Sequence, residues 1–173
     1  MHPVNFRDVG HALSLWLDPS PIPMGRLLRG GRLDALSIAS DFGSPATILN
    51  LRQGPDALRP GVRNLHLPAP DRVENYQTEL RPVSRWVRDA LSTLASPELA
   101  WPVYIHCTSG RDRTGVVIAA ALMAIGVPRA VIIGEYALSD GADPALIECA
   151  LDGLSDVTLG NTERLRSALL GSP

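Results

Sequence analysis

The chain contains no lysine; all 16 of its basic residues are arginine. Without lysine there is no Schiff-base or pyridoxal-lysine chemistry, and no nucleotide-binding phosphate loop of the kind that ends in Gly-Lys-Ser/Thr. Compositional drift toward Ala, Leu, Gly, Arg and Pro accounts for the absence. Cysteine is almost as scarce. Cys107 and Cys149 are too few for the disulfide framework of a small secreted domain and lack the paired spacing of a zinc site, so both are expected as reduced thiols. An excess of positive charge is also missing: 16 basic residues face 18 acidic ones, for a net charge of −2. That balance provides no basic stripe for nucleic acid and no polybasic segment for anionic lipid, so no nucleic-acid partner is expected. Long apolar runs are lacking too. The longest, Val116 to Val127, spans 12 residues, against the roughly 18 that a membrane span requires. The first residues, Met1 to Asp8, have no basic flank followed by an apolar stretch. The expectation is a cytoplasmic protein with no membrane span.

A length of 173 residues suits a single domain over residues 1–173, large enough to bury a core without staples. Prolines and glycines are scattered, and the densest cluster, residues 17–25, reads as a surface loop. Thr47 to Leu51 is a short apolar run bounded by Pro45 and Gly54, and Val62 to Leu67 is a second, closed by Pro68; both read as strands. Between Asn75 and Ala95, Leu80, Val83, Val87, Ala90, Leu91 and Leu94 recur at three- and four-residue intervals, the stripe of an amphipathic helix with Trp86 beside it. Pro102 to His106 reads as another strand, and Thr114 to Ile125 as a buried helix stopped by Gly126 and Pro128. Further helices are expected over 129–138, 143–151 and 161–170. Strands alternating with helices predict an α/β fold with a central, mostly parallel sheet flanked by helices. In such folds ligands bind beyond the carboxyl ends of the strands.

At the carboxyl end of the strand that closes on His106 stands Cys107-Thr108-Ser109-Gly110-Arg111-Asp112-Arg113-Thr114-Gly115, running straight into the buried helix. A loop leading from a strand to a helix N-terminus turns successive backbone N–H groups inward and adds the positive end of the helix dipole, which makes an anion cradle. Cysteine in such a cradle is held as thiolate, the nucleophilic form. Arg113 supplies two parallel donors to phosphate oxygens, the task that a planar guanidinium fits. Thr114 is placed to steady the sulfur as a leaving group, and Gly110 gives backbone freedom where a side chain would crowd the ligand. Thr108, Ser109, Gly110, Arg111 and Thr114 are the expected substrate-binding residues. The bland alternative makes Cys107 a small buried hydrophobe and Arg113 a surface residue at a helix start; the spacing and the strand–loop–helix setting together disfavour it.

These residues resemble the signature of the cysteine-dependent protein tyrosine and dual-specificity phosphatase superfamily. The resemblance extends to Asn5-Phe6-Arg7-Asp8-Val9-Gly10, Leu27-Leu28-Arg29-Gly30-Gly31-Arg32-Leu33, Ile48-Leu49-Asn50-Leu51-Arg52 and Glu135-Tyr136-Ala137-Leu138-Ser139, which look like landmarks of the bacterial tyrosine/lipid phosphatase branch. His11, where that branch has glycine, and Asn50, where it has aspartate, depart from its pattern. The resemblance implies a phosphatase-like fold and metal-independent hydrolysis of phosphomonoesters through a phosphocysteine, with a phosphorylated protein or a phosphoinositide as substrate. The extra cation at Arg111 resembles that of phosphoinositide and inositol-phosphate phosphatases, although a loop-rim arginine explains it equally well, since the branch commonly has lysine there.

A general acid must protonate the leaving oxygen, and two aspartates compete for that role. Asp71 follows the strand closed by Pro68, like the separate acid-bearing loop of most of the superfamily. Asp112 lies within the phosphate loop, where the bacterial branch places its acid, and the like charge of a bound phosphate favours the protonated form there. No cofactor and no metal are expected, since His2, His11, His66 and His106 show no ligand spacing. His106 is expected to bond backbone groups beneath the loop, Cys149 to lie in the core, Arg7 to pair with Asp8, and Tyr136 to pack in the core. Two rival readings are a non-catalytic phospho-ligand module, which has no need of the nucleophile, and a sulfurtransferase or arsenate reductase, which the Arg-Thr-Gly ending disfavours. Nothing in the sequence bears on oligomeric state.

Overall fold

Val103–His106 is buried along its whole length and forms the centre of the sheet. The computed structural model describes residues 2–33 and 39–171. Among them five strands form one sheet: β1 (Arg7–Asp8), β2 (Leu27–Gly30), β3 (Thr47–Asn50), β4 (Arg63–His66) and β5 (Val103–His106), in the order β1-β2-β5-β3-β4. β2, β5, β3 and β4 run parallel, and only the two-residue edge strand β1 is antiparallel. The expected α/β fold with a mostly parallel sheet is therefore present, with two strands, β1 and β2, that hydrophobic patterning did not disclose.

Alternation along the strands sorts the two faces. Leu27, Leu49, Val103 and Ile105 join the main core, which also takes the buried faces of α1 (Val9–Leu13), α2 (Arg81–Leu94), α3 (Asp112–Ala124), α4 (Arg129–Ala137), α5 (Pro144–Gly153) and α7 (Thr162–Leu170). Leu28, Ile48 and Tyr104 point the other way, into a small cluster with Phe42, flanked by Phe6, Leu33 and Val62. A further short helix, α6, spans Asp156–Leu159.

The helix expected from residue 75 begins later, at Arg81. Pro82 explains the onset, because a residue without an N–H is accommodated in the first helical turn, where donors have no intrahelical partner anyway. Leu80 is extended and 41% exposed, off the buried stripe. Val73–Tyr76 instead forms a separate 3-10 turn that buries Tyr76. Burial of Val87, Leu91 and Leu94 stabilises α2 by about 1.5–3 kcal/mol per side chain, and Trp86 Nε1 donates to the Leu67 carbonyl at 3.1 Å. α3 starts two residues before the expected Thr114, at Asp112, and is buried on every side from Arg113 to Leu122.

Candidate active site

β5 delivers Cys107, 1% exposed, to the carboxyl edge of the sheet, and the chain turns through Thr108–Gly110 into α3. Gly110 has φ +71°, and a Cβ there would stand within 2.5 Å of Gly31 N and closer still to the Gly30 carbonyl. Only glycine allows both the left-handed turn and this approach to the end of β2. Three successive carbonyls of the loop are taken up from behind. Arg32 N donates to Thr108 O at 3.0 Å, Asn5 Nδ2 to Ser109 O at 2.9 Å, and Arg29 Nη2 to Gly110 O at 2.8 Å. With those carbonyls held outward, the peptide N–H groups between them turn to the concave side, next to the first turn of α3.

Arg113, 3% exposed, closes this concave side. Its Nη2 donates to Thr108 Oγ1 at 3.1 Å and lies 3.2 Å from Asp71 Oδ1, while Nη1 donates to the Ala69 carbonyl at 3.2 Å. Arg113 Nε and Thr114 Oγ1 are buried with no hydrogen-bond partner among the described residues. A buried donor left unmade costs about 1–3 kcal/mol, so such groups mark places where a ligand completes the set.

The two competing aspartates are both brought to this end of the molecule, in different company. Asp71 follows β4 on an exposed loop and reaches Arg113. Asp112 Oδ1 accepts from Tyr76 OH at 2.7 Å and from Arg111 Nε at 3.1 Å, and Oδ2 accepts from Arg111 Nη2 at 3.2 Å. Tyr76 also bonds Tyr136 OH at 2.7 Å, ring edge to ring face. Burial, reinforced by the Tyr136 and Asp112 bonds, drives the Tyr76 phenol far above its ordinary range, so it stays a neutral donor. Hydrogen bonding to Asp112 likewise raises the Arg111 guanidinium. Arg111 Nη1 donates to the carbonyls of Gly141 at 3.2 Å and Asp140 at 3.4 Å, so in this structure the loop's second cation is folded onto protein groups. Ser109 Oγ accepts a long bond, 3.4 Å, from Arg111 N.

Several neighbours differ from expectation. His106 bonds a carboxylate as well as backbone: Nε2 lies 2.6 Å from Asp56 Oδ2, and Nδ1 3.3 Å from Cys107 O. Strand alternation sends His106 to the face opposite Ile105, where it stacks on Tyr104. Arg7 does not pair with Asp8. It reaches Glu135 in α4 at 2.7 Å, and Asp8 instead caps α1 by accepting from Gly10 N and His11 N. Cys149 is exposed on α5 rather than in the core, because Ile147, Ala150 and Leu151 take that helix's buried positions. Asn5, Arg29 and Glu135 stand within the family landmarks but carry no expected site role, and Asp56 and Tyr76 are not among the expected site residues. The signal available for Arg29 is a single charged residue among the apolar neighbours of Leu27–Gly30.

Among the described residues, no group of three or more His, Cys, Asp or Glu side chains is arranged to hold a metal, and no helix is long and apolar enough to cross a membrane. Comparison with known proteins adds four findings. Over 45 residues the chain is 47% identical to the triple specificity protein phosphatase PtpB of Mycobacterium tuberculosis, covering 26% of this chain and 16% of that protein. Over 37 residues it is 49% identical to a tyrosine-protein phosphatase of Nostoc commune, covering 21% of this chain and 13% of that one. The matched stretches thus span under a fifth of those relatives' lengths. The core catalytic domain of the PP-IP phosphatase SIW14 from S. cerevisiae, solved with citrate, shares the fold at TM-score 0.67 and 17% identity, over 100% of this chain and 97% of that one. The tyrosine phosphatase family profile matches residues 2–160, and the chain belongs to that family, within the cysteine-dependent phosphatase superfamily.

Proposed function

We propose that the protein hydrolyses phosphomonoesters, with Cys107 as nucleophile and without a metal. The observation that carries this reading is the loop itself. Cys107 and the buried Arg113 bracket a turn whose carbonyls are tied outward and whose arginine keeps one N–H unpartnered. A phosphate seated there meets inward N–H groups, the α3 dipole and the Arg113 fork. The Cys107 thiolate attacks phosphorus, the P–O bond to the leaving group breaks, and a phosphocysteine forms; water then attacks phosphorus, releasing phosphate and regenerating the thiolate. Arg113 and the amides stabilise the equatorial oxygens in both steps. Thr114 steadies the sulfur as it leaves in the second. Thr108, which already bonds Arg113, holds that fork in place.

The resemblance points to Asp112 as the acid, whereas the geometry favours Asp71. Both Asp112 oxygens are occupied by three donors that must be broken before it hands over a proton. Asp71 touches the same Arg113 nitrogen that a phosphate would take, so substrate binding frees its carboxyl beside the leaving group.

Phosphorylated protein side chains are the favoured substrates. The phosphoinositide alternative draws on Arg111, whose guanidinium is engaged by Asp112 and two carbonyls. A panel of phosphotyrosine, phosphoserine and phosphothreonine peptides against phosphoinositides at matched ionic strength tests this. Higher kcat/KM on phosphopeptides supports the reading, and preference for the lipids overturns it.

A further inference from the structure

Beneath the phosphate loop lies an ionic triad with more positive than negative members. Arg29 sits on the helix-facing side of β2, fully buried, with Nη1 2.6 Å from Glu135 Oε2 and Nη2 donating to Gly110 O. Glu135, 1% exposed, also takes Arg7 Nε on its other oxygen, and Arg7 Nη2 donates to the Glu135 carbonyl and to Ser139 Oγ. Two guanidiniums share one buried carboxylate, leaving a formal excess of one positive charge around it, with Arg29 fully buried and Arg7 13% exposed. Burying unbalanced charge is unfavourable, and arginine cannot escape by losing its proton. Such a charge is retained where something negative stands close by.

We propose that Arg29 is a positioning residue for the phosphate loop, acting as a buried cation beneath the loop that Cys107 opens and as the donor that turns the Gly110 carbonyl away from the ligand. The inference rests on the reading of Cys107 as nucleophile. Geometry carries it: one guanidinium spans the Glu135 carboxylate and the third carbonyl of the loop, so loop shape and local charge depend on the same side chain. The electrostatics agree. Burial lowers the Arg29 guanidinium, and Glu135 and then Cys107 oppose that lowering, while Arg7 adds to it. Other polar side chains at this end of the sheet are Arg113 from α3, His106 with Asp56 behind it, and Tyr104. Among the described residues none of these hydrogen-bonds to the Glu135 carboxylate or the Gly110 carbonyl, so an Arg29 substitution leaves their own bonds in place. A purely structural role, tying β1 and β2 to α4, would lower stability alone.

The test uses the full chain with Cys149→Ala, which removes the exposed second thiol. Two readouts are taken: the rate of iodoacetamide alkylation of Cys107 at pH 7, and inhibition of aryl phosphate hydrolysis by inorganic phosphate. In Arg29→Met, folded by near-ultraviolet circular dichroism, the alkylation rate is expected to fall several-fold and the phosphate inhibition constant to rise roughly tenfold. Arg29→Lys keeps the charge but cannot hold two acceptors as a fork. It is expected to keep the alkylation rate within about twofold and still weaken phosphate. A folded Arg29→Met with both readouts unchanged overturns the proposal. If Arg29→Met does not fold, Arg29→Lys decides, and an unchanged phosphate constant overturns the proposal. Alkylation of Cys107 that leaves hydrolysis intact with Arg29 in place refutes the nucleophile instead, a result distinct from either of these.

Discussion

Asp71 Oδ1 lies 3.2 Å from Arg113 Nη2, although the Asp71 side chain is 68% exposed and that of Arg113 only 3%. A solvent-facing carboxylate thus rests on the buried guanidinium proposed to hold phosphate, and the nearby Ala69 carbonyl accepts from the other end of the same fork. The outer loop is docked on the phosphate loop by two contacts to one side chain.

If Asp71 is the proton donor, its loss must depend on the leaving group. Asp71→Asn is expected to slow alkyl phosphate hydrolysis by about 10²–10⁴-fold and to affect p-nitrophenyl phosphate, whose phenolate leaves unaided, much less. Asp112→Asn is expected to show no such dependence. A kcat comparison across leaving-group acidity checks this, and the reverse pattern assigns the role to Asp112.

Tyr76→Phe removes a part-buried hydrogen bond to Asp112 and a buried one to Tyr136, while keeping the ring. The expected loss is about 1–3 kcal/mol in urea unfolding, with the larger part from acceptors left unpaired. Because the account gives Asp112 a holding role, kcat on an aryl phosphate should fall less than tenfold. A larger fall with unchanged stability would make Tyr76 and Asp112 parts of the chemistry.

Gly110→Ala places a Cβ against the Gly30 carbonyl and Gly31 N at φ +71°. Backbone on both sides cannot yield, so the loop must leave the end of β2 and the Arg29 bond to Gly110 O must break. The expectation is a lower Tm together with near-complete loss of phosphate inhibition. Alanine at 110 with wild-type inhibition by phosphate would contradict the close approach.

Much of the architecture is legible in the residues, and the failures share a cause. The strand at Val103–His106, the cysteine loop and the helices α3, α4, α5 and α7 are marked by local pattern, a period or a motif within a short stretch, whereas the four-residue α6 is not. β1 and β2 escape because two- and four-residue strands carry too few alternations to show a period, and Leu27–Gly30 is buried on both faces. The 75–95 stripe overran its helix because Pro82 outweighs a leucine that fits the spacing. The site divides in the same way. Cys107 to Thr114 can be read in line, whereas Arg29 with Glu135 and His106 with Asp56 join residues 106 and 50 positions apart. Such pairs exist only once the sheet has brought them together. Arg7 illustrates the point, since its sequence neighbour Asp8 was the nearest partner on paper and Glu135 is the partner in space.

The three tyrosines of the chain, Tyr76, Tyr104 and Tyr136, all have phenols raised above the ordinary value, with burial as the first cause in each. A group whose pKa is higher folded than unfolded contributes stability that is complete below the unfolded value. That stability is lost as pH rises, because the unfolded chain releases the proton first. Stability should therefore begin to fall near pH ~10, the ordinary tyrosine value. Phenolate absorbance should appear together with loss of far-ultraviolet dichroism. Phenolate formed by a still-folded chain would contradict the burial of these rings.

The mechanism stands on a covalent phosphate carried by Cys107, which quenched turnover analysed by peptide mass spectrometry detects. With an aryl phosphate as substrate and the general acid substituted to slow breakdown, one phosphate is predicted on the peptide bearing Cys107, none on Cys149, and no product from Cys107→Ser. Hydrolysis by Cys107→Ser at the unsubstituted rate, or phosphate trapped on any other residue, would contradict the account.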